Sequence, residues 1–168
     1  MTGGPSVRDA RQAELDDVAL LIRDAYRQYR PSFSRGLWER YLADIVDVRS
    51  RLDSADLIVA EDLGRIVGSV TFYPEGSRST REDWPAGWAG IRLLAVHPDA
   101  RRRGIGRALM DECIRRSRAM GSPSLGLHTT RIMDVAREMY ERMGFVRIPE
   151  YDFHPAPGVV VMVYRLDL

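Results

Sequence analysis

Two hydrophobic periods alternate along the chain and predict a protein built of both helices and strands. Apolar residues spaced three and four apart predict helices over residues 16–29, 37–48, 104–120 and 134–143. Runs rich in β-branched residues predict strands over residues 56–61 and 65–73, and short apolar runs predict further strands over residues 90–98, 124–129, 145–148 and 158–166. Residues 74–87, rich in glycine, serine and charge, predict a long surface loop.

The order of these segments predicts the fold class. The strands over 56–61 and 65–73 flank a short Asp-Leu-Gly turn and read as a hairpin, whereas later strands are separated by helices. Hairpins combined with helical crossovers predict a mixed sheet with helices packed on it. A length of 168 residues suits one compact core, so we expect one α/β domain over residues 1–168.

Composition narrows the function classes. The apolar fraction of 45% and charged fraction of 29% are those of ordinary globular proteins. The formal net charge of +1 is far below that of a dedicated nucleic-acid binder, and no apolar run is long enough to span a bilayer. The single Cys113 cannot form an internal disulfide, and the Cys and His spacing matches no metal motif. We therefore expect a cytoplasmic protein with no metal, nucleic-acid or membrane partner.

The segment RRRGIG, residues 101–106, follows a strand and opens a helix. Backbone N–H groups and the positive end of a helix dipole meet at such a point and bind anions. Glycines let the amides turn toward a phosphate, while Arg101, Arg102, Arg103 and Arg107 add positive charge.

Three phosphate-binding motifs compete for this segment. A P-loop requires Lys-Ser or Lys-Thr after the last glycine, but Gly106 is followed by Arg107-Ala108. A dinucleotide fingerprint requires a third glycine where Leu109 stands, and seven residues separate Val96 from Gly104. The pyrophosphate loop of an acyl-CoA-dependent acyltransferase tolerates this longer loop and is the interpretation that we retain.

The chain resembles the GCN5-related N-acetyltransferase (GNAT) family. Residues 101–106 fit the family signature (Arg or Gln)-x-x-Gly-x-(Gly or Ala), and the strand LLAVHP precedes them. A second family signature fits Ala136-x-x-x-Tyr140-x-x-x-Gly144-Phe145. The resemblance is specific over residues 93–145. It implies an α/β (α+β) domain with a mixed, mostly antiparallel central sheet flanked by helices, which transfers acetyl from acetyl-CoA to a primary amine.

The resemblance also implies the site residues. The expected acetyl-CoA contacts come from the strand, the signature loop and the last helix: Leu94, Ala95, Val96, Arg101, Arg102, Arg103, Gly104, Ile105, Gly106, Arg107, Met133 and Tyr140. Met133 stands where the family often has an asparagine that contacts the pantetheine arm.

Three residues receive catalytic roles on the same basis. The Leu94 N–H would hold the thioester oxygen, and Tyr140 would protonate the departing thiolate, with a buried core tyrosine as the alternative. The general base is the least defined. We assign it to His128, against a structural histidine or a chain of water molecules with no single base.

The acceptor, a small-molecule or peptide amine, is expected at the first two helices and their loop, at residues 73–88 and at residues 150–157. Their aromatic and acidic residues would suit a cationic amine, although core aromatics and a solvated acidic surface explain them equally: Tyr29, Phe33, Trp38, Trp84, Trp88, Tyr151 and Phe153 beside Glu75, Glu82, Asp83, Glu150 and Asp152. We assign no chemistry to Cys113, His97 or His154.

Other functions stay open at this point. A non-catalytic acyl-CoA-binding sensor on the same scaffold is the main alternative, and a nucleotide-dependent oxidoreductase is a distant third. A homodimer is compatible with the resemblance, because dimers are frequent in this family.

Overall fold

The computed structural model describes residues 4–79 and 84–168 of the chain. It divides into two compact units, one formed by residues 1–72 and 93–113 and the other by residues 73–92 and 114–168. The prediction of one domain over residues 1–168 stays a prediction.

The first unit contains strands β1 (Ser6–Asp9), β2 (Asp56–Asp62) and β3 (Arg65–Tyr73) and the second half of β4 (Ala89–Val96). β1 pairs antiparallel with β2, and β2 pairs antiparallel with β3, which neighbours β4. Its helices are α1 (Leu15–Tyr26), α2 (Arg35–Val46) and the first turns of α3 (Ile105–Ala119).

The second unit contains the first half of β4, the end of α3, strand β5 (Ser124–Thr129) and helix α4 (Asp134–Arg142). Strands β6 (Val146–Arg147), β7 (Phe153–Ala156) and β8 (Val159–Asp167) complete it. The strand order is β4-β5-β8-β6, and β7 pairs with β8. β4 and β5 are parallel, which requires the crossover that α3 supplies, and β8 is antiparallel to its three neighbours. The predicted mixed, mostly antiparallel sheet is confirmed.

The predicted elements differ from the observed ones where local chemistry is special. Helix α1 ends at Tyr26, and residues 27–32 form a 3₁₀ turn around Pro31, whose missing N–H cannot continue an α-helix. Strands β1 and β7 escaped prediction because each has four residues without a regular apolar alternation, and β7 contains Pro155. Among the described residues, no helix combines the length and apolar character that crossing a membrane demands.

The core of the first unit brings helix α3 unusually close to strand β3. A Cβ placed on Gly68 would lie 2.7 Å from Cγ2 of Ile105 and 3.0 Å from Cδ1 of Leu109. Both side chains are buried, with exposures of 2% and 0%. The absence of a side chain at Gly68 therefore fixes the depth at which the first turn of α3 packs.

We predict that Gly68→Ala lowers the free energy of unfolding by about 1–3 kcal/mol, because the added methyl overpacks a closed contact. Urea unfolding measures this change. The matched control is Gly36→Ala on α2, where an added Cβ meets no atom within 4 Å. Equal effects of the two substitutions would contradict the proposed packing constraint.

Candidate active site

The second half of strand β4 carries an irregularity at Leu93. The pairing of β4 with β5 runs from Ala89 to Ile91, and Leu93 then adopts a φ of +56°. A non-glycine residue in the left-handed region is uncommon, and such residues often mark a bulge or functional strain. Leu93 is buried, so the surrounding packing holds this conformation in place.

This irregularity precedes the residue expected to hold the thioester oxygen. The His97 N–H donates to the Val67 carbonyl of β3 at 2.8 Å. Because backbone groups alternate in direction along a strand, Leu94, three residues earlier, directs its backbone groups to the other edge. There the Leu94 carbonyl accepts a hydrogen bond from the Tyr26 hydroxyl at 3.3 Å. The sequence gives no sign of this contact, because Tyr26 lies among the apolar residues of its helix and nothing in the pattern distinguishes it.

The loop before α3 has the backbone shape of an anion-binding site. Arg102 and Gly104 have φ values of +59° and +76°, and the Ala108 N–H donates to the Gly104 carbonyl at 2.9 Å. The helical ladder thus starts at Gly104, and the amides of the first turn have no acceptor within the helix. A Cβ on Gly104 would meet no atom within 4 Å, so the space beside it is open. The residues fit a diphosphate group bound through main-chain N–H groups.

The arginines of this loop are largely engaged with the protein itself. The Arg101 guanidinium donates to the Ala25 carbonyl at the end of α1 at 3.1 Å. Arg103 pairs with Asp62 at 2.5 Å, and Arg107 pairs with Asp111 at 3.0 Å. Arg102 is exposed. The main chain of the loop is therefore the part left available to an anion, and the side-chain contacts anchor the loop to neighbouring residues.

The second signature belongs to the second unit. Tyr140 is 4% exposed, and its ring lies 5.8 Å from the ring of Phe145. The Phe145 N–H donates to the Tyr140 carbonyl at 3.0 Å, which closes the turn at Gly144 after α4. Met133 is half-buried and caps the start of the same helix. The signature spacing thus places the tyrosine on a helix whose end is locked by the residues that follow it.

His128 lies on β5 opposite Val163 of β8. Its ring centroid is 4.9 Å from that of Trp84 and 5.4 Å from that of Phe153. Its Nε2 is buried without a hydrogen-bond partner among the described residues. Burial, with a smaller contribution from the Arg92 charge, lowers the pKa of His128 to about 3. The imidazole is therefore neutral at physiological pH, which leaves it able to accept a hydrogen bond or a proton but makes it a weak base.

Much of the expected acceptor surface is internal. Trp38, Trp84 and Trp88 are buried, and Phe33 stacks on Tyr41 at 5.1 Å. The remaining aromatic residues on that surface also pack against other rings: Tyr29 on Tyr26, Tyr151 on Trp88 and Phe153 on His128.

Of the expected carboxylates, Asp152 binds the Arg147 guanidinium. Burial alone would raise the pKa of Asp152, but hydrogen bonds from Arg147 and the Val163 N–H outweigh it and lower that pKa. Glu82 and Asp83 lie outside the described residues.

The predicted site residues thus fall into two groups. Residues 94–96 and 101–107 lie in the first unit, where their backbones provide strand edge and helix start. His128, Met133 and Tyr140 lie in the second unit. Cys113 is fully buried on α3, and His97 accepts a hydrogen bond from the Asp99 N–H at 3.2 Å. Within the ranges that the structure describes, no cluster of three His, Cys, Asp or Glu side chains is arranged to hold a metal ion.

Comparison with known proteins identifies the family of the chain. The family described as Acetyltransferase (GNAT) family matches residues 19–145. An uncharacterized N-acetyltransferase of Schizosaccharomyces pombe is 24% identical over 155 residues, which cover 92% of this chain and 89% of that protein.

Two solved structures share the fold. The PaiA N-acetyltransferase of Thermoplasma acidophilum, solved in complex with coenzyme A, has a TM-score of 0.74 and 16% identity. The alignment covers 98% of this chain and all of that one. A GNAT family acetyltransferase of Brucella melitensis in complex with acetyl-CoA has a TM-score of 0.65 and 21% identity, over 98% of this chain and 88% of that one. The signature loop, the left-handed backbone before α3 and the family match agree, and the chain belongs to the GNAT family of acetyltransferases and is an acyltransferase.

Proposed function

We propose that the protein transfers the acetyl group of acetyl-CoA to a primary amine by direct attack, without a covalent enzyme intermediate. The observation that carries this proposal is the left-handed backbone of Arg102 and Gly104, which leaves the first amides of α3 available to a diphosphate. Coenzyme A in one solved relative and acetyl-CoA in another support the choice of cosubstrate. The burial of Cys113 supports direct attack, because that thiol is not presented as a nucleophile.

Two groups of residues would bind the cosubstrate. Residues 101–107 would hold its diphosphate, and the backbone of Leu94, Ala95 and Val96 would hold its pantetheine arm. Met133 contributes apolar contact at the start of α4 in place of an amide hydrogen bond. Acetyl-CoA supplies a thioester, whose carbonyl carbon is open to attack by an amine.

The transfer forms one C–N bond and breaks one C–S bond. The Leu94 N–H would stabilise the charge that develops on the thioester oxygen, and the Tyr140 hydroxyl would give its proton to the departing thiolate sulfur. The amine proton must also leave. With a pKa of about 3, His128 is a poor acceptor for it. We propose that water takes this proton, with neutral His128 accepting a hydrogen bond in that path.

The double substitution Arg103→Glu with Gly104→Val should raise the KM for acetyl-CoA about tenfold or more, a loss of about 1.4 kcal/mol or more, since it brings a negative charge and a bulky side chain to the main-chain amides that would hold the diphosphate. Valine is strained at the φ of +76° and would fill the open space beside residue 104. Steady-state kinetics and direct titration with CoA measure the effect. Gly158→Val, at another glycine of positive φ with open surroundings, controls for general backbone strain. An unchanged KM would contradict the site.

Tyr140→Phe should lower kcat about 100-fold or more, with little change in the KM for acetyl-CoA, because it removes a proton donor and keeps the ring against Phe145. Thiol release under saturating acetyl-CoA measures kcat. Tyr164→Phe, which removes the hydroxyl from another buried ring, one that donates to Glu141, is the control. Wild-type kcat in Tyr140→Phe would refute the proton-donor role.

The neutral state of His128 has a consequence for stability. Its folded pKa of about 3 lies below the ordinary 6.5, so the unfolded chain binds the proton more tightly. The contribution of neutral His128 to the free energy of unfolding is therefore fully present above pH 6.5. As the pH is lowered from 6.5 to 3, the free energy of unfolding should fall by at most about 1.4 kcal/mol per pH unit. Unfolding titrations of the wild type and His128→Gln should diverge over this range. A His128 ring that titrates near pH 6.5 by NMR would contradict the burial argument and restore its role as base.

A further inference from the structure

Five arginines line two adjoining cavities in the first unit, and we call this surface the arginine groove. One cavity, of about 560 Å³, is lined by Arg23, Arg27 and Arg101. The other, of about 240 Å³, is lined by Arg23, Arg27, Arg30 and Arg35. Arg23 and Arg27 line both, so the two cavities adjoin at these side chains.

The groove carries an excess of positive charge. Its five guanidinium groups face three carboxylates, those of Asp24, Glu39 and Asp99, which leaves a net +2 before His97 is counted. The whole chain has a net charge of only +1. The net charge of the groove thus exceeds that of the whole chain, so the charges of the remaining residues sum to about −1.

The carboxylates satisfy only part of the donor capacity of the groove. Asp24 accepts from both Arg23 and Arg27, at 3.0 and 3.3 Å, and Glu39 pairs with Arg35 at 3.2 Å. Each guanidinium has five N–H donors in a planar fork that matches phosphate and carboxylate oxygens. One carboxylate contact takes up only part of the donor capacity of a guanidinium, so Arg23, Arg27 and Arg35 retain further N–H donors for an anion.

The arginines are also arranged in a line. Arg23, Arg27 and Arg30 are spaced four and three residues apart and so share one side of α1 and of the turn that continues it, over about 10 Å. The larger cavity, of about 560 Å³, has the size of a small-molecule site. The geometry matches a compact ligand with a multiply charged anionic group.

Helix α1, which carries Arg23, also contacts strand β4. Tyr26 lies between Arg23 and Arg27 in sequence, and its hydroxyl donates to the Leu94 carbonyl at 3.3 Å. Leu94 is the residue that we place at the thioester oxygen. The segment that carries Arg23 and Arg27 is thus hydrogen-bonded to the residue of β4 at which we place the thioester oxygen.

We propose that the arginine groove binds the phosphate or carboxylate group of a small anionic amine, which is the acetyl acceptor. This inference rests on the proposed function for the word acceptor, whereas anion binding in the groove does not depend on it. The sign of the groove is opposite to the acidic, aromatic surface expected from sequence, so a purely cationic polyamine would be repelled.

The first experiment titrates inorganic tripolyphosphate into protein saturated with CoA, so that the diphosphate seat is already filled. Arg27→Glu with Arg30→Glu should weaken tripolyphosphate binding about tenfold or more. Arg118→Glu with Arg142→Glu changes the net charge equally at exposed positions outside the groove and should leave binding within about twofold. Absence of binding to the CoA-saturated protein, or equal losses in both double variants, would overturn the groove as an anion site.

Coenzyme A itself is the competing source of phosphate, and dephospho-CoA separates the two. We expect the groove variant to bind CoA and dephospho-CoA as the wild type does. A selective loss of CoA affinity would show that the groove holds the 3′-phosphate of the cosubstrate, which overturns the acceptor assignment.

The second experiment compares matched amines with and without a phosphate, such as O-phosphoethanolamine and ethanolamine, under saturating acetyl-CoA. Among amines that are acetylated, the phosphorylated member should have the lower KM, and the groove variant should raise that KM alone about tenfold. Equal KM values for the two members, or equal effects of the variant on both, would overturn the acceptor assignment. Failure to bind CoA would instead refute the proposed function, and the tripolyphosphate titration, repeated on the CoA-free wild type and both double variants, would then decide on the groove.

Discussion

The approach of helix α3 to strand β3 at Gly68 is the constraint on which the candidate coenzyme site depends. Ile105 and Leu109 fit against a bare backbone, so the first turn of α3 has one depth and one orientation. The N–H groups of that turn are aligned with the helix axis, so their direction is set by the direction of the helix. A displacement of about 1 Å is enough to impair a catalytic site that depends on the orientation of its substrate. The left-handed residues before the helix then complete the seat. A hydrophobic contact on one side of the helix thus determines how well polar groups at its end can bind.

The charged residues of this protein are unevenly distributed, although the net charge of the whole chain is only +1. Five arginines face three carboxylates in the arginine groove, and Arg101 belongs both to this groove and to the signature loop. We propose different chemistry for anions at the two surfaces. The signature loop would rely on main-chain dipoles, which are fixed, and the groove would rely on side chains, which can adapt to a ligand.

Much of this arrangement could be predicted from local sequence. The hairpin of β2 and β3, the strand β5 and the helices α3 and α4 follow their hydrophobic periods to within about two residues, the usual uncertainty at element ends. The signature loop was also identifiable, because its glycines answer to a requirement of the backbone that acts within a few residues. These features share one property, namely that the cause lies next to the effect in sequence.

The features that escaped prediction have distant causes. The pKa of His128 depends on burial by Trp84 and Phe153, which reach it from other segments of the chain. The bond from Tyr26 to Leu94 joins residues 68 positions apart. The arginine groove combines one side of α1 with residues that follow β4. No period or motif records such proximity, and only the folded chain reveals it.

The first position of the signature loop gains a physical explanation from the contact of Arg101 with the Ala25 carbonyl. The family signature accepts arginine or glutamine there, two side chains that differ in charge but share a planar group bearing N–H donors. A neutral carbonyl at the end of a helix requires only what they share. The side chain at this position then serves to join the loop to the helix by a hydrogen bond. Either residue can do so, because the bond depends on the length and donor geometry of the side chain and not on its formal charge.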